Sequence, residues 1–233
     1  MERGIAAIGL LHEPVRRALY RYVAAQAHEV SRNEAAQALG IQRGLAAFHL
    51  DKLVEVGLLE VASHRRLGGR SGPGAGRPAK LYRRAAIQHE LTLPPRRYET
   101  AARLLAEVVE ASGADLALYA AAQRHGEALG REAAASASAD SIPSATASAA
   151  DIEAVLTERG YEPYREGETL RLRNCPFHSL SREFPALVCG MNLALLEGLL
   201  GRLGPAGADL LARMDPRPGE CCVALVPSKS SDN

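Results

Sequence analysis

The side chains in this chain best suited to chemistry lie in its last third: Cys175, His178, Cys189, Cys221 and Cys222. No cysteine precedes residue 175. The run Cys175-Pro-Phe-His178 sets an imidazole three residues after a thiol, and Cys221 and Cys222 are adjacent. Thiolates select zinc, copper(I) or iron–sulfur clusters. The spacing lacks the paired Cys-x-x-Cys of zinc ribbons and fingers. Neighbouring residues on a strand point to opposite faces, so one of Cys221 and Cys222 is expected to be a ligand, with His178 as a candidate fourth. If Val223 and Leu225 face the core, Cys221 shares their side and Cys222 shares that of Ala224 and Val226. Two readings compete with a metal centre. Buried thiols can serve as small hydrophobes, and Cys189 could be the nucleophile of a thiol enzyme. No Cys-x-x-Cys or neighbouring base is legible for the latter, so no enzyme is expected.

These residues need elements to hold them. Asp151 to Arg159 reads as a helix with Ile152, Val155 and Leu156 inward. Tyr161 to Tyr164 and Thr169 to Arg173 read as strands joined by the turn Glu166-Gly167-Glu168. Leu180 to Phe184 reads as a turn or two of helix stopped by Pro185. A longer helix is expected from Leu187 to about Leu203. Leu210 to Met214 and Cys222 to Val226 read as strands around Arg217-Pro218-Gly219-Glu220. Cys175 then falls just past a strand, Cys189 near a helix start where the dipole favours a thiolate, and the cysteine pair at the start of a strand. Three element ends can converge on one point.

The rest of the chain points to nucleic acid. The net charge is +1, yet residues 1–97 carry 16 Lys/Arg against 8 Asp/Glu, and the remainder carries 12 against 19. A basic front and an acidic back suggest a nucleic-acid module joined to something else. A helix is expected from Glu13-Pro14, with Val15, Leu19, Tyr22 and Val23 on one face. Ser31-Arg32-Asn33-Glu34 matches a capping box. A short helix, Asn33 to Leu39, is ended by Gly40. A second runs from Gln42 to Val56 with Leu45, Leu50 and Leu53 as core candidates, and a strand follows at Leu58 to Val61. Two helices around a Gly-Ile turn form a helix-turn-helix, whose second helix enters the major groove. Gln42, Arg43, Phe48, His49 and Lys52 are the groove-facing candidates. From Ser63 to Arg84 the chain carries Arg65, Arg66, Arg70, Arg77, Lys80, Arg83 and Arg84 and no acidic residue. Its Gly/Pro-rich centre between two strands suits a wing that reaches the DNA backbone or minor groove.

Residues 98–132 read as two helices around Ser112-Gly113, with Leu104, Leu105, Val108 and Val109 on one stripe and Leu116, Leu118, Tyr119 and Ala122 on the other. A homodimer interface is expected there, since helix-turn-helix proteins usually bind two half-sites as twofold dimers. Residues 133–150, rich in Ala and Ser and containing Pro143, read as a linker. The expected fold is α+β and mainly helical. A winged helix-turn-helix (1–97) is followed by a helical dimerisation segment (98–132), the linker, and a small α+β domain holding the cysteines (151–233). No apolar run approaches the roughly 20 residues that span a bilayer, and no secretory signal is legible, so a cytoplasmic protein is expected.

Gly40-Ile41 and the run from Phe48 to Leu59 resemble the winged-helix regulators of the ArsR-like superfamily. The arsenic and zinc sensors of that superfamily usually place Cys or His ligands near the reading head. No cysteine lies there in this chain, so that site is not carried over. The order winged helix, Cys175-Pro-Phe, Val188-Cys189 with Met191-Asn192, then Gly219-Glu220-Cys221-Cys222 looks like the SufR-type regulators and their actinobacterial relatives. That resemblance implies a homodimeric repressor on double-stranded operator DNA. It also implies that three cysteines hold an iron–sulfur cluster, 4Fe–4S or 2Fe–2S, whose state sets DNA affinity. The ligands would be Cys175, Cys189 and one of Cys221 and Cys222. Zinc is the alternative metal, and a small organic effector with structural cysteines the alternative switch.

Overall fold

A computed structural model of the chain describes residues 2–62, 80–89, 91–139 and 149–228. The chain packs as two compact units, Met1–Arg96 and Arg97–Asn233. The fold is α+β and mainly helical. Among the described residues no helix is long and apolar enough to cross a membrane.

The first unit runs α1 (Glu2–Leu10), α2 (Pro14–Ala24), β1 (Val30–Ser31), α3 (Arg32–Leu39), α4 (Arg43–Glu55), β2 (Leu59–Ala62) and β3 (Leu81–Arg84). Local sequence fixes its helix ends. Pro14 opens α2, and the Glu13 carboxylate accepts the amides of Val15 and Arg16 at 3.1 and 2.7 Å. The capping box at Ser31 forms in full. Its hydroxyl accepts from the Glu34 amide at 3.2 Å, and the Glu34 carboxylate accepts from the Ser31 amide at 3.4 Å. Gly40 turns left-handed at φ 65°, and the Ile41 amide donates back to the Ala36 carbonyl at 3.0 Å, a Schellman closure that only glycine makes without strain. The strands form an antiparallel sheet of order β1-β3-β2, with Val30 opposite Tyr82 and Val61 opposite Tyr82 on the other side. Leu19, Val23, Val30, Ala35, Leu50, Leu53 and Tyr82 close the core.

Within this unit α1 and β1 have no counterpart in the sequence reading. One core assignment is corrected. Leu45, expected inside, is 42% exposed, and Ala46 takes the buried place. One residue on a helix is about 100° of rotation, and packing of α4 on α2 and α3 selects the face that carries Ala46, Leu50 and Leu53.

The second unit runs α5 (Tyr98–Ser112), α6 (Asp115–Ala139), α7 (Ala149–Glu158), β4 (Pro163–Glu166), β5 (Thr169–Leu172), α8 (His178–Ser181), α9 (Pro185–Leu200), α10 (Pro205–Ala208), β6 (Leu210–Met214) and β7 (Val223–Pro227). The strands form an antiparallel sheet of order β4-β5-β7-β6. Two readings change here. Helix α6 continues to Ala139, into the stretch expected to be linker. Pro185 does not stop a helix but opens α9 at its first position, where its missing N–H costs nothing.

Helices α6 and α9 touch backbone to backbone. A Cβ added at Gly126 would lie 2.0 Å from the Leu195 carbonyl oxygen, one at Gly198 2.2 Å from that of Gln123, and one at Gly130 2.6 Å from that of Leu199. The α6 stripe is divided: Ala122 is buried in the core with Leu195 and Leu199 and Tyr119 packs against it, whereas Leu116 is exposed. The α5 stripe is mostly exposed. Leu104, Leu105 and Val108 are 59, 67 and 64% exposed.

Candidate functional site

The reading helix α4 divides its candidate residues between two roles. Gln42 and Arg43 are exposed at its start, and Phe48 is 55% exposed further along the helix. Leu45, misassigned to the core, joins them on the outer surface. Lys52 is half-exposed and pairs with Glu55 at 2.7 Å. His49 is corrected. It is 7% exposed, its Nδ1 accepts from Arg16 Nε at 3.1 Å, and its ring meets Phe48 edge-on with centroids 5.2 Å apart. It joins α4 to α2 instead of facing a groove, because the rotation that buries Leu50 and Leu53 carries it inward.

The base of the wing is anchored to the same helix. Asp51 on α4 accepts from Lys80 Nζ and from the Tyr82 hydroxyl, both at 2.9 Å. Burial pushes the Asp51 carboxyl up, but the bonds from Lys80 and Tyr82 outweigh it and leave it below its usual value. Burial and the bond to Asp51 raise the Tyr82 phenol to about 12. Lys80, expected as a DNA contact, pairs with Asp51 within the unit. Arg83 pairs with Glu60 across the β2–β3 ladder at 2.6 Å. Arg65, Arg66, Arg70 and Arg77 lie outside the described residues.

The four cysteines meet in one corner of the second unit. Cys175 follows β5. Cys189 is the fifth residue of α9, one turn past the helix start. Cys221 and Cys222 lie just before β7, not in it. Backbone bonds tie the vicinal pair to different strands. The Cys221 amide donates to the Leu172 carbonyl at 2.9 Å, and the Cys222 carbonyl accepts from the Asp215 amide at 2.9 Å. The outcome is 2% exposure for Cys221 and partial exposure for Cys222. Cys175 is 7% exposed in the same core, and Cys189 is half-buried.

The thiols form a row of contacts. Cys221 meets Cys175 on one side and Cys222 on the other, and Cys222 meets Cys189. Hydrogen bonds from Cys175 and Cys222 lower the Cys221 thiol and outweigh its burial. The bond to Cys221 and then burial raise Cys175 and Cys222. Cys221 is the sulfur whose anion the row favours. Asn192 on α9 is fully buried; its Nδ2 donates to Cys221 Sγ at 3.3 Å, and its Oδ1 accepts from the Tyr161 hydroxyl at 2.5 Å. Among the described residues no three His, Cys, Asp or Glu side chains are grouped as a single metal ion would need. The donor types suit a thiolate-bound group. His178 is exposed at the first position of α8, outside the row, although its amide donates to the Cys175 carbonyl at 3.0 Å.

Sequence reasoning missed a charged cluster behind the cysteines. Arg171 on β5 is 2% exposed. It donates to the Asp215 carboxylate at 2.5 Å and carbonyl at 3.0 Å, and to Glu220 at 3.0 Å. The Tyr164 hydroxyl donates to the other Glu220 oxygen at 2.6 Å. A buried guanidinium needs such partners, and they brace the turn that presents Cys221. The available signal was Arg171 itself, alternating with the apolar Leu170 and Leu172 on a strand that could be central.

From the thiol corner a path leads to α5. Ser179 Oγ on α8 donates to Glu99 at 2.6 Å, and Arg103 on α5 pairs with Glu183 at 2.8 Å. The segment that begins at Cys175 is thus tied to the helix that directly follows the first unit.

Comparison with known proteins matches residues 10–62 to the family described as a helix-turn-helix domain. No curated protein and no solved structure matches the chain. Residues 10–62 hold the two helices, the turn and the strand β2, and this helix-turn-helix domain supports a DNA-binding transcriptional regulator.

Proposed function

We propose that the regulator is a homodimeric repressor whose second unit binds an iron–sulfur cluster through Cys175, Cys189 and one of the vicinal pair, and that cluster status sets operator affinity. The observation that carries this reading is the contact row of four thiols, gathered from three separate places in the chain into one partly buried corner. Such a donor set suits a sulfur-liganded group. A bound cluster supplies charge and sensitivity to oxidants. The protein supplies the geometry that changes with it: Cys175 leads into α8, which bonds Glu99 of α5 through Ser179, and Glu183, just after α8, pairs with Arg103 of α5. The exposed α5 face, Leu104, Leu105 and Val108, is the surface offered for dimerisation. Gln42, Arg43, Phe48 and the wing arginines read the DNA.

Protein prepared without oxygen should be brown, with a visible absorption band, iron and acid-labile sulfide. Cys175→Ser and Cys189→Ser should lose all three and shift operator affinity by about 1–3 kcal/mol. A colourless preparation, zinc-loaded or metal-free, refutes cluster binding and leaves DNA binding intact.

A further inference from the structure

The outer face of α4 is polar at its ends and apolar in its middle. Helix positions three or four apart share a face, so Gln42, Leu45, Phe48 and Lys52 form one stripe. It lies opposite the buried Ala46, Leu50 and Leu53. Leu45 and Phe48, at its centre, are both exposed. A Cβ added at Gly44, next to Leu45, would meet no other segment of the described residues within 4 Å. Scattered exposed apolar residues are ordinary. These two are neighbours on the second helix of a helix-turn-helix, the helix that enters the major groove.

Charge selects the occupant of that face. Residues 42–50 include Arg43 and no acidic residue, so this part of the stripe can meet the negative potential of a nucleic acid. The acidic residues further along α4, Asp51 and Glu55, are paired with Lys80 and Lys52. In the major groove adenine, guanine and cytosine present donors and acceptors, whereas thymine also presents an apolar group, its 5-methyl.

We infer that Leu45 and Phe48 are specificity-determining residues that read thymine through its 5-methyl group. Three residues of helix rise about 4.5 Å and one base pair about 3.4 Å, so the two side chains can reach methyls on neighbouring base pairs. Leu45 takes this role because the rotation that buries Ala46 turns the leucine outward. The inference rests on DNA binding by the first unit and adds which chemical group of the bases is read. It is independent of what the cysteines hold.

The test starts from a random-sequence duplex pool. Full-length protein, prepared without oxygen and in parallel in air, selects duplexes from it, and the preparation that enriches a sequence is used. Each thymine of the selected duplex is replaced in turn by deoxyuridine, which pairs with adenine in the same way and lacks only the methyl. Affinity should fall about fourfold for each methyl that is covered, the scale of burying one such group. With Leu45→Ala or Phe48→Ala the loss at the thymine covered by that side chain should disappear, a double-mutant cycle across the interface. Arg43→Ala should weaken binding to the thymine and uracil duplexes alike and keep the difference between them. Leu45→Ala decides the matter if Phe48→Ala, whose ring meets His49, does not fold. Tolerance of deoxyuridine at every position, or an undiminished loss in the folded variants, overturns the inference and leaves DNA binding standing. A lower native mass for Leu45→Ala with unchanged thymine preference makes the face a contact between copies and also overturns it. Enrichment of no sequence by either preparation overturns sequence reading by α4 and this inference together.

Discussion

Gly126→Ala is the most direct test of the α6–α9 seam. The new methyl carbon would sit 2.0 Å from the Leu195 carbonyl oxygen and 2.9 Å from the Leu199 amide nitrogen, whereas ordinary contact begins near 3.4 Å. No side chain can swing away, because both opposing atoms are backbone. The helices must part by about 1.4 Å at this point. Gly130 and Gly198 carry the same constraint along the seam, so the separation also lifts Leu195 and Leu199 from their packing. Overpacking of this kind costs about 1–3 kcal/mol, and backbone on both sides places it at the upper end. Alanine returns about 1 kcal/mol of helix propensity, leaving a net loss of about 2 kcal/mol. At about 4 °C per kcal/mol for a unit of this size, the midpoint should fall by about 8 °C. All four cysteines lie in the second unit, so pulsed thiol labelling along a temperature ramp reports on that unit alone. Gly201→Ala is the control. Its Cβ would meet the Glu197 carbonyl at 3.4 Å in right-handed backbone, and stability should hold or rise slightly. A Gly126→Ala midpoint equal to or above the native one would refute the seam argument.

Three further outcomes are expected. Arg43→Ala should leave stability within about 0.5 kcal/mol and weaken operator discrimination by about 1–3 kcal/mol, while His49→Ala should cost about 1–2 kcal/mol of stability through its lost bond to Arg16; urea unfolding and operator titration separate the two. The Asp51 carboxyl is held below its usual value, so its contribution is complete above about pH 4 and is lost as pH falls through the lower folded value. Asp51→Asn should flatten the acid-side fall in first-unit stability, read as urea midpoints from the Tyr82 ring signal between about pH 5 and pH 3. Leu105→Asp places a charge on the exposed α5 stripe and should shift the protein from dimer to monomer in light scattering while leaving its helix content unchanged; a native mass for the variant would exclude that face.

What could be read from the sequence was what short-range chemistry decides. The Ser31 capping box, the left-handed Gly40 and the β6–β7 hairpin each rest on a few adjacent residues, and each is present in the fold. The cysteine corner was legible as residue types but not as geometry. Whether Cys221 or Cys222 faces inward depends on a backbone bond across the local hairpin to Asp215 and on one to Leu172, which is distant in sequence. The two-residue β1 is too short to have a period and exists only because β3 pairs with it. Leu45 and Ala46 exchanged places because hydrophobicity favours leucine for the core, while the packing of α4 required a small residue. Arg171 went unnoticed because it is polar and its partners come from other elements, and Asn192 was legible only as part of the Met191-Asn192 motif, not as a buried amide.

The ties between α8 and α5 set a condition on any signal sent through them. Glu99–Ser179 and Arg103–Glu183 are exposed contacts, and an exposed ion pair is worth about 0–1 kcal/mol and is screened by salt. A response carried by such links has a gain that depends on ionic strength. The affinity of the basic first unit for DNA also falls with salt, but linearly in the logarithm of concentration through counterion release. On the proposed switch, salt would act as a second input, setting baseline occupancy through the phosphates and the contrast between states through the Arg103–Glu183 pair.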